Sequence, residues 1–484
     1  MARIGAASLL LAALSLLGPS EPSYDPWAWL VWGREVGQLS LDTAAGPSWK
    51  PLPVAFTTLF AQLDRLDHGI APALWIVVAR AGGVFALLVA FRVAARLAGG
   101  DRLRRAVAGS VALLALALTP EWIRYLMHGN EAPLAVGLVL LGIDRHLDGH
   151  RRSAFLAGAA ACLARPELFG FLLLYGAYAC LRSRRELVPV AVTVSVVVAA
   201  WVLPALWGSG DALSAVHTAR SEPSWSLSLR AEPWRAALAV AQDQAWLVLE
   251  LAALAAAGLA VAALLGRGAR PSAAPRPAVV AALSGAAALN VALYVAMTEA
   301  GFSGNARYVL PAVAMVAVLG GVGVAQLADL GARAGPAGVA AAAALLLAAG
   351  GPEIAAHVGE ARSEARDSIE RARLHSQLER AVDGLGPGYI ALFGPATVNR
   401  AFQTHMAWEL SVPIEDVWSA RGRGLTFVAP PQPVAGPVRI VPKARRRLMI
   451  TRVGDWTVAE RPPGARHVYT WPMVGFSLRR AAQS

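Results

Sequence analysis

Residues Leu187 to Trp207 read LVPVAVTVSVVVAAWVLPALW, a run of 21 residues without a charged side chain. An α-helix rises about 1.5 Å per residue, so a run of this length crosses the roughly 30 Å hydrocarbon core of a bilayer. The stretch therefore predicts a transmembrane helix, and similar runs recur along the chain.

The composition extends this interpretation to the whole chain of 484 residues. It is 56% hydrophobic and 16% charged, whereas soluble domains carry about a quarter charged residues. We predict an all-α polytopic membrane bundle of about eleven transmembrane helices with a small C-terminal soluble α/β domain. The predicted spans are residues 4–19, 70–91, 106–119, 131–143, 153–164, 167–181, 187–207, 244–265, 278–298, 308–328 and 336–351.

Arginine clusters between the spans indicate their orientation. If the N-terminus is cytoplasmic, the inner connections are rich in arginine, and the outer ones are longer and poorer in basic residues, as the positive-inside rule requires. We expect a multi-pass protein of the plasma (inner) membrane. The inner connections hold Arg92, Arg96, Arg102, Arg104, Arg105, Arg145, Arg151, Arg152, Arg182, Arg184, Arg185, Arg267, Arg270 and Arg276.

Charge and cysteine content exclude several classes. The net charge is +12, yet no basic patch is interleaved with aromatics as in nucleic-acid-binding proteins, so we expect membrane lipid and no nucleic acid as partner. Cys162 and Cys180 lie in apolar runs, which argues against a disulfide framework or a cysteine metal site. Met1 to Gly18 fits a signal peptide or an uncleaved first helix, and the missing Ala-x-Ala pattern favours the helix.

The chain changes character after Gly351. Residues 1–351 are predicted to form the transmembrane domain, and residues 352–484 an extracytoplasmic soluble domain. Arginine, glutamate and alanine alternate at helical spacing from Glu353 to Asp383, which predicts a solvated helix. Strands are predicted at 389–393, 425–428, 438–441 and 448–452, and a turn at 453–455 joins the last to 456–459 in a hairpin.

Two long outer loops, residues 20–69 and 208–243, are rich in tryptophan. Indole rings favour the headgroup region, so we expect helices along the membrane surface or, alternatively, a simple aromatic belt. The first loop also contains Asp25 in Tyr-Asp-Pro-Trp, followed by Arg34 and Lys50. Asp25 is placed to reach both a lipid-linked phosphate and an aqueous acceptor, although an aspartate before proline is also common as a turn residue or helix cap.

Three more polar elements fall at outer ends of spans. Glu131 in Asn-Glu-Ala-Pro-Leu opens the fourth span, where the helix dipole favours an anion and where plain capping by Asn130 is the alternative. Arg165 and Glu167 in Ala-Arg-Pro-Glu interrupt an apolar stretch, which is tolerated at a surface turn or a cavity. Arg307 and Tyr308 in Asn-Ala-Arg-Tyr-Val-Leu-Pro precede the tenth span, where snorkelling anchors are the alternative.

The order and shared sidedness of these elements resemble the GT-C superfamily of membrane glycosyltransferases, which includes the protein O-mannosyltransferases and the aminoarabinose transferases. The family's first-loop acid matches Asp25, its acid before Pro-Leu matches Glu131, its Arg-Pro-Glu-like break matches Arg165 to Glu167, and its Arg-Tyr-x-Leu-Pro motif matches Arg307 to Pro311. The adjacent acidic pair of several members is missing, because Asp25 stands between Tyr24 and Pro26.

The resemblance implies transfer of a sugar, expected to be mannose-like, from a polyprenyl-phosphate donor to a glycan, lipid or protein acceptor in the cell envelope. Asp25 would deprotonate the acceptor hydroxyl, and cations would stabilise the departing phosphate. Glu131 would orient the acceptor or help Asp25 hold a divalent cation such as Mg²⁺ or Mn²⁺. The predicted substrate-binding residues are Arg34, Lys50, Arg165, Glu167, Arg307 and Tyr308.

Two other functions fit a helical membrane bundle. A transporter or flippase of lipid-linked substrates predicts inverted repeats and polar groups near the bilayer midplane, whereas the ionisable residues here concentrate at the outer ends. A non-catalytic membrane scaffold whose outer domain binds a partner has no distinguishing sequence feature. Sugar transfer by the purified protein separates both from a glycosyltransferase.

Overall fold

Helices form most of the chain in the computed structural model, which describes residues 1–64, 69–221, 225–266, 276–333, 335–419, 424–428, 448–453 and 456–460. In chain order the helices are α1 (Ala2–Leu14), α2 (Tyr24–Gly37), α3 (Pro51–Leu63), α4 (Ile70–Ala98), α5 (Arg102–Ala117), α6 (Trp122–Met127), α7 (Ala132–Leu147), α8 (Arg151–Ala164), α9 (Phe169–Arg182), α10 (Leu187–Ser209), α11 (Ser214–Ala219), α12 (Pro233–Asp243), α13 (Leu247–Leu264), α14 (Pro277–Glu299), α15 (Leu310–Arg333), α16 (Pro336–Leu385), α17 (Pro387–Ala391) and α18 (Gln403–Glu409).

The protein is a polytopic helical membrane protein, as predicted. Each of the eleven predicted spans coincides with a helix: α1, α4, α5, α7 to α10 and α13 to α16. Among the described residues, α4, α10, α13, α14 and α15 are long and apolar enough to cross a bilayer by themselves. The number of crossings therefore stays a prediction, because the shorter helices need flanking residues to span the hydrocarbon core.

The centre of the bundle is α15. In its most apolar stretch 83% of the residues are buried, against 6% in α10, which presents its uncharged surface outward. Glycines permit this close packing, because a Cβ at Gly321 would overlap the carbonyl oxygen of Ala108 and one at Gly323 would overlap that of Ala252. In lipid, such small residues let helix backbones approach and gain dispersion contacts.

A buried arginine fixes the chain ahead of α2. Arg80, within α4, donates hydrogen bonds to the carbonyl oxygens of Ser15 and Pro19 at 2.9 and 2.7 Å. It also reaches the carbonyl of Leu126, which precedes α7. An arginine in a membrane helix is tolerated when backbone carbonyls satisfy its donors, and here those bonds place the first loop over the end of the bundle.

Both long loops contain the predicted helices, α2 and α3 in the first and α11 and α12 in the second. The aromatic-belt interpretation is wrong for the first loop, where Trp27, Trp29, Trp32 and Trp49 are at most 4% exposed. These indoles face other protein groups because α2 is covered by α3, α4 and the C-terminal elements.

The C-terminal part contains a four-stranded sheet in the order β1-β2-β4-β3, formed by β1 (Thr397–Val398), β2 (Thr426–Val428), β3 (Leu448–Val453) and β4 (Trp456–Glu460). Strand β1 pairs parallel to β2, and the other pairs are antiparallel. The predicted strands at 425–428 and 448–452 and the pairing of 448–453 with 456–460 are confirmed. The predicted strand at 438–441 and the turn residues Gly454 and Asp455 lie outside the described residues.

One strand prediction is wrong: residues 389–393 begin inside the helix α17. Gly386 has φ +79° and Pro387 occupies the first helical turn, which together start a new helix rather than a strand. Helix α16 itself runs without interruption across the predicted domain boundary at 351 and 352, so the division into two domains stays a prediction. Its second half carries Leu374 and Leu378 into one apolar cluster with Trp29 of α2.

A candidate active site at one end of the bundle

Asp25 lies in the first turn of α2, and Arg307 is its partner. Arg307 Nη1 donates to Asp25 Oδ2 at 2.6 Å, and both side chains are less than one-fifth exposed. A short 3₁₀ turn, Ala306–Tyr308, positions Arg307 ahead of α15, and the Asn305 side chain caps this turn by accepting from the Arg307 amide. The snorkelling interpretation therefore does not describe Arg307, which points into an ion pair.

Glu131 sits just ahead of α7. The Asn130 side chain accepts from the amide of Ala132, but the N-cap residue of α7 is Glu131 itself, whose side chain makes no bond to the helix. The Glu131 carboxylate, fully buried, instead accepts hydrogen bonds from Lys50 Nζ and from Arg165 Nη1, the latter at 3.0 Å.

Arg165 connects the acidic groups with the late motif. It follows α8 and is 2% exposed. Besides Glu131 it binds Glu167, with Nε to Oε1 at 2.7 Å, which is the local pair expected at this break. Its guanidinium also lies 4.7 Å from the centre of the Tyr308 ring, a cation–π contact that fixes the plane of the guanidinium.

Lys50 precedes α3 and is 5% exposed. Its ammonium lies 5.8 Å from the centre of the Trp29 ring and binds Glu131. Burial lowers the pKa of Lys50 to about 8, although the negative charge of Glu131 opposes this change. The lysine is therefore mostly charged at neutral pH and loses its charge under mildly alkaline conditions.

The structure thus brings together three cations and three carboxylates from five separate parts of the chain. Within the described residues, several buried polar atoms of this group have no hydrogen-bond partner: Glu131 Oε2, Glu167 Oε2, Arg307 Nε and Trp29 Nε1. Buried polar atoms in native proteins are nearly always paired. The unpaired donors and acceptors therefore indicate a place where a ligand or water completes the bonding.

A Mg²⁺ or Mn²⁺ ion held between Asp25 and Glu131 stays a prediction. Arg307 takes one oxygen of Asp25, and Lys50 with Arg165 occupies one of Glu131, whereas the second oxygen of Glu131 has no partner among the described residues. These three side chains already bring positive charge to the carboxylates.

Arg34 does not join this group, and its role in substrate binding stays a prediction. Its guanidinium donates to the carbonyl oxygens of Trp408 and Val412 at 3.1 and 3.0 Å and stacks over the Trp408 ring. Arg34, in the last turn of α2, faces the elements that cover this helix, whereas Asp25, in the first turn, pairs with Arg307 ahead of α15. Arg34 is thus an attachment point for α18.

Sequence reasoning missed a second polar cluster beside the first. Glu21, His375 and His405 have side-chain ligand atoms within 4.8 Å of one another. No spacing pattern in the sequence indicates this group, because Glu21 and the two histidines are separated by most of the chain. Glu21 lies four residues before Asp25, so the two clusters meet at the start of α2.

Comparison with known proteins gives a match through structure alone: no protein-family model and no curated protein matches the sequence. The crystal structure of ArnT from Cupriavidus metallidurans bound to undecaprenyl phosphate superposes with a TM-score of 0.52 at 14% identity. The apo structure of the same protein gives a TM-score of 0.54, also at 14% identity. Each alignment covers 95% of this chain and 97% of ArnT. Bundle and C-terminal part align together, and the chain has the GT-C fold that the order of its motifs predicted.

Proposed function

We propose that this protein is a membrane glycosyltransferase that moves a sugar from a polyprenyl-phosphate donor to an acceptor hydroxyl, with inversion at the anomeric carbon. The observation that carries the proposal is the convergence of Asp25 with Lys50, Arg165 and Arg307 at one end of the bundle. The fold supports it, because ArnT, which shares this fold, was crystallised with undecaprenyl phosphate.

The three cations suit a lipid-linked phosphate. Arginine presents fixed pairs of N–H donors that match phosphate oxygens, and lysine supplies a compact charge. Arg307 Nε has no partner among the described residues and is available to such an oxygen. The cations are nearly dry, so their attraction for an anion is little screened by water.

The chemistry needs one base. In the proposed step Asp25 removes the proton from the acceptor hydroxyl while the hydroxyl oxygen bonds to the anomeric carbon. The bond from that carbon to the phosphate oxygen breaks, and the lipid phosphate departs with the electron pair. Since phosphate is already a stable anion, Lys50, Arg165 and Arg307 need only stabilise the charge that accumulates on it.

Asp25 must be released from Arg307 before it can act as a base. A donor phosphate that binds the Arg307 guanidinium would compete for the same N–H groups. The resting ion pair, at 2.6 Å, would then hold Asp25 in place until the donor arrives. Glu131, which binds Lys50 and Arg165 together, would keep these cations at fixed positions.

The C-terminal elements pack over α2, which carries Asp25. This arrangement, together with the arginines at the opposite end of the bundle, supports an extracytoplasmic site in an envelope membrane. We propose a mannose-like sugar and a glycan, lipid or protein acceptor on that side.

The decisive experiment incubates the purified full chain in detergent with a panel of polyprenyl-phosphate sugars and candidate acceptors. We expect at least one pair to yield lipid phosphate and glycosylated acceptor in equal amounts. Labelled donor that binds in the wild type and is never cleaved, but crosses the bilayer in proteoliposomes, would establish the transporter instead.

A further inference from the structure

The cluster of Glu21, His375 and His405 joins three parts of the chain. Glu21 belongs to the segment before α2, His375 to α16 and His405 to α18. His375 Nδ1 lies 2.8 Å from His405 Nδ1 and 3.1 Å from Glu21 Oε1. All three side chains are less than 15% exposed. Donor atoms that share one tetrahedral cation with bonds of about 2.0 to 2.2 Å lie roughly 3.3 to 3.6 Å apart, so small side-chain shifts would open the cluster to an ion.

The outer contacts orient His405 as a metal ligand. Its Nε2 faces Glu409 Oε1 at 3.1 Å. A proton on Nε2 that is donated to Glu409 leaves the Nδ1 lone pair directed at the cluster, which is the carboxylate–histidine pattern found behind metal ligands. Trp27 adds two constraints: its ring stacks on His405 at 4.2 Å, and its Nε1 donates to Glu21 Oε1 at 3.1 Å.

The surroundings of the cluster supply negative charge. The carboxylates of Glu379 and Glu409 lie near Glu21, and Glu409 also contacts His405. A bound cation would offset the charge of these carboxylates.

We propose that Glu21, His375 and His405 bind one Zn²⁺-like transition-metal dication, which fastens the start of α2 to α16 and α18. Two imidazoles and one carboxylate form a common three-residue zinc set, with water in the fourth position. Nitrogen ligands select zinc and its transition-metal neighbours over Mg²⁺ or Ca²⁺, which prefer oxygen. The site is separate from the proposed transfer chemistry, and its role is to position Asp25, four residues after Glu21.

A hydrogen-bond chain is the competing description of the same atoms. A proton on His375 Nδ1 shared between Glu21 Oε1 and His405 Nδ1 would satisfy the observed distances. The two descriptions differ in whether the folded protein binds metal, which can be measured without any transfer assay.

The test strips the purified full chain with a chelator, adds Zn²⁺, and counts bound metal by mass spectrometry after desalting. We expect one zinc per chain, a higher midpoint of thermal unfolding with zinc than without, and the visible absorption of tetrahedral Co²⁺ when cobalt is substituted. A tenfold excess of Mg²⁺ should displace none of it. Zero metal per chain, with no cobalt absorption, overturns the proposal.

Matched variants locate the metal. His405→Ala should lose the bound zinc, whereas His217→Ala, an exposed histidine paired with Asp211, should retain it. Glu409→Gln keeps all three ligands but weakens the outer contact, so zinc affinity should fall about 10- to 100-fold. If His405→Ala does not fold, the wild-type metal count and Glu409→Gln decide the question. Equal zinc binding in the wild type and in Glu409→Gln and His405→Ala would contradict the assignment.

Discussion

The two ends of the bundle both bury a carboxylate among arginines, but they differ in how completely it is bonded. At the end opposite the candidate site, Asp144 of α7 accepts at both oxygens, from Arg92 and Arg96 at Oδ1 and from Arg145 at Oδ2. At the site end, Glu131 has one oxygen without a partner among the described residues.

The arginines differ as well. Those around Asp144 are 22 to 40% exposed and belong to α4 and α7, two adjacent helices. Arg165 and Lys50 at the site end are at most 7% exposed and stand at helix ends or in loops. The cluster around Asp144, which is fully hydrogen-bonded, partly exposed to solvent and held between packed helices, stabilises the fold. The cluster around Glu131, which is buried, lies on loop segments and has unpaired polar atoms, is suited to bind a ligand.

The largest expected effect follows from Asp25→Asn. The amide preserves shape but cannot accept a proton, so we expect sugar transfer to fall about 10²- to 10⁴-fold. The unfolding midpoint should change less than the rate does, because the amide oxygen of asparagine can still accept the hydrogen bond from Arg307. Initial rates of lipid-phosphate release measure this, with Asp148→Asn at the opposite end as control. Transfer at the wild-type rate would remove Asp25 from the base role.

Asp144→Asn should have the opposite effect: it should lower the stability of the fold and leave sugar transfer unchanged. It leaves three arginines without their central anion, and breaking a buried ion pair costs about 3–5 kcal/mol. Partial exposure of the arginines reduces this to about 2–3 kcal/mol of unfolding free energy. Thermal unfolding in detergent reports the loss, while transfer per folded molecule should stay near the wild-type value. A stable protein without transfer would mean that both ends take part in function.

The third prediction concerns pH. The pKa of Lys50 is lowered to about 8, so its ammonium is present below that pH and is lost as pH rises through it. If this charge stabilises the departing phosphate, transfer should drop about tenfold between pH 7 and pH 9, since the charged fraction of the lysine falls from about nine-tenths one unit below its pKa to about one-tenth one unit above it. Lys50→Arg, which stays charged, should remove this step from the pH profile. An unchanged profile in Lys50→Arg would exclude Lys50 as its source.

The smallest effect is expected at Arg34. Arg34→Met removes charge-assisted hydrogen bonds to carbonyls of α18 and the loop after it, which contribute about 1–2 kcal/mol. Hydrogen exchange over residues 403–412 should accelerate while transfer falls less than about threefold, or about 0.6 kcal/mol. Arg152→Met, whose arginine is 66% exposed at the opposite end, should change neither. Slower transfer without faster exchange would return Arg34 to the substrate site.

Hydropathy predicted the helices well because the bilayer leaves the backbone few choices. Every N–H and C=O in the hydrocarbon core must bond within its own segment, so an apolar run of sufficient length becomes a helix whatever its neighbours are. This is why the helix at residues 187–207 could be predicted from its local sequence alone. The strand prediction at 389–393 was wrong because it rested on the apolar side chains of this stretch and overlooked the preceding Gly386-Pro387 pair, which starts a helix.

The sequence by itself determined the helical membrane fold and placed Asp25, Glu131, Arg165 and Arg307 at the ends of segments. Tertiary structure alone decided which groups meet: Asp25 pairs with a residue 282 positions away, and Arg34 faces α18 instead of the site. It also gathered Glu21 with His375 and His405 and buried the tryptophans of α2. Helix formation depends on solvent and local composition, whereas partner choice depends on how helices pack, which no local pattern encodes.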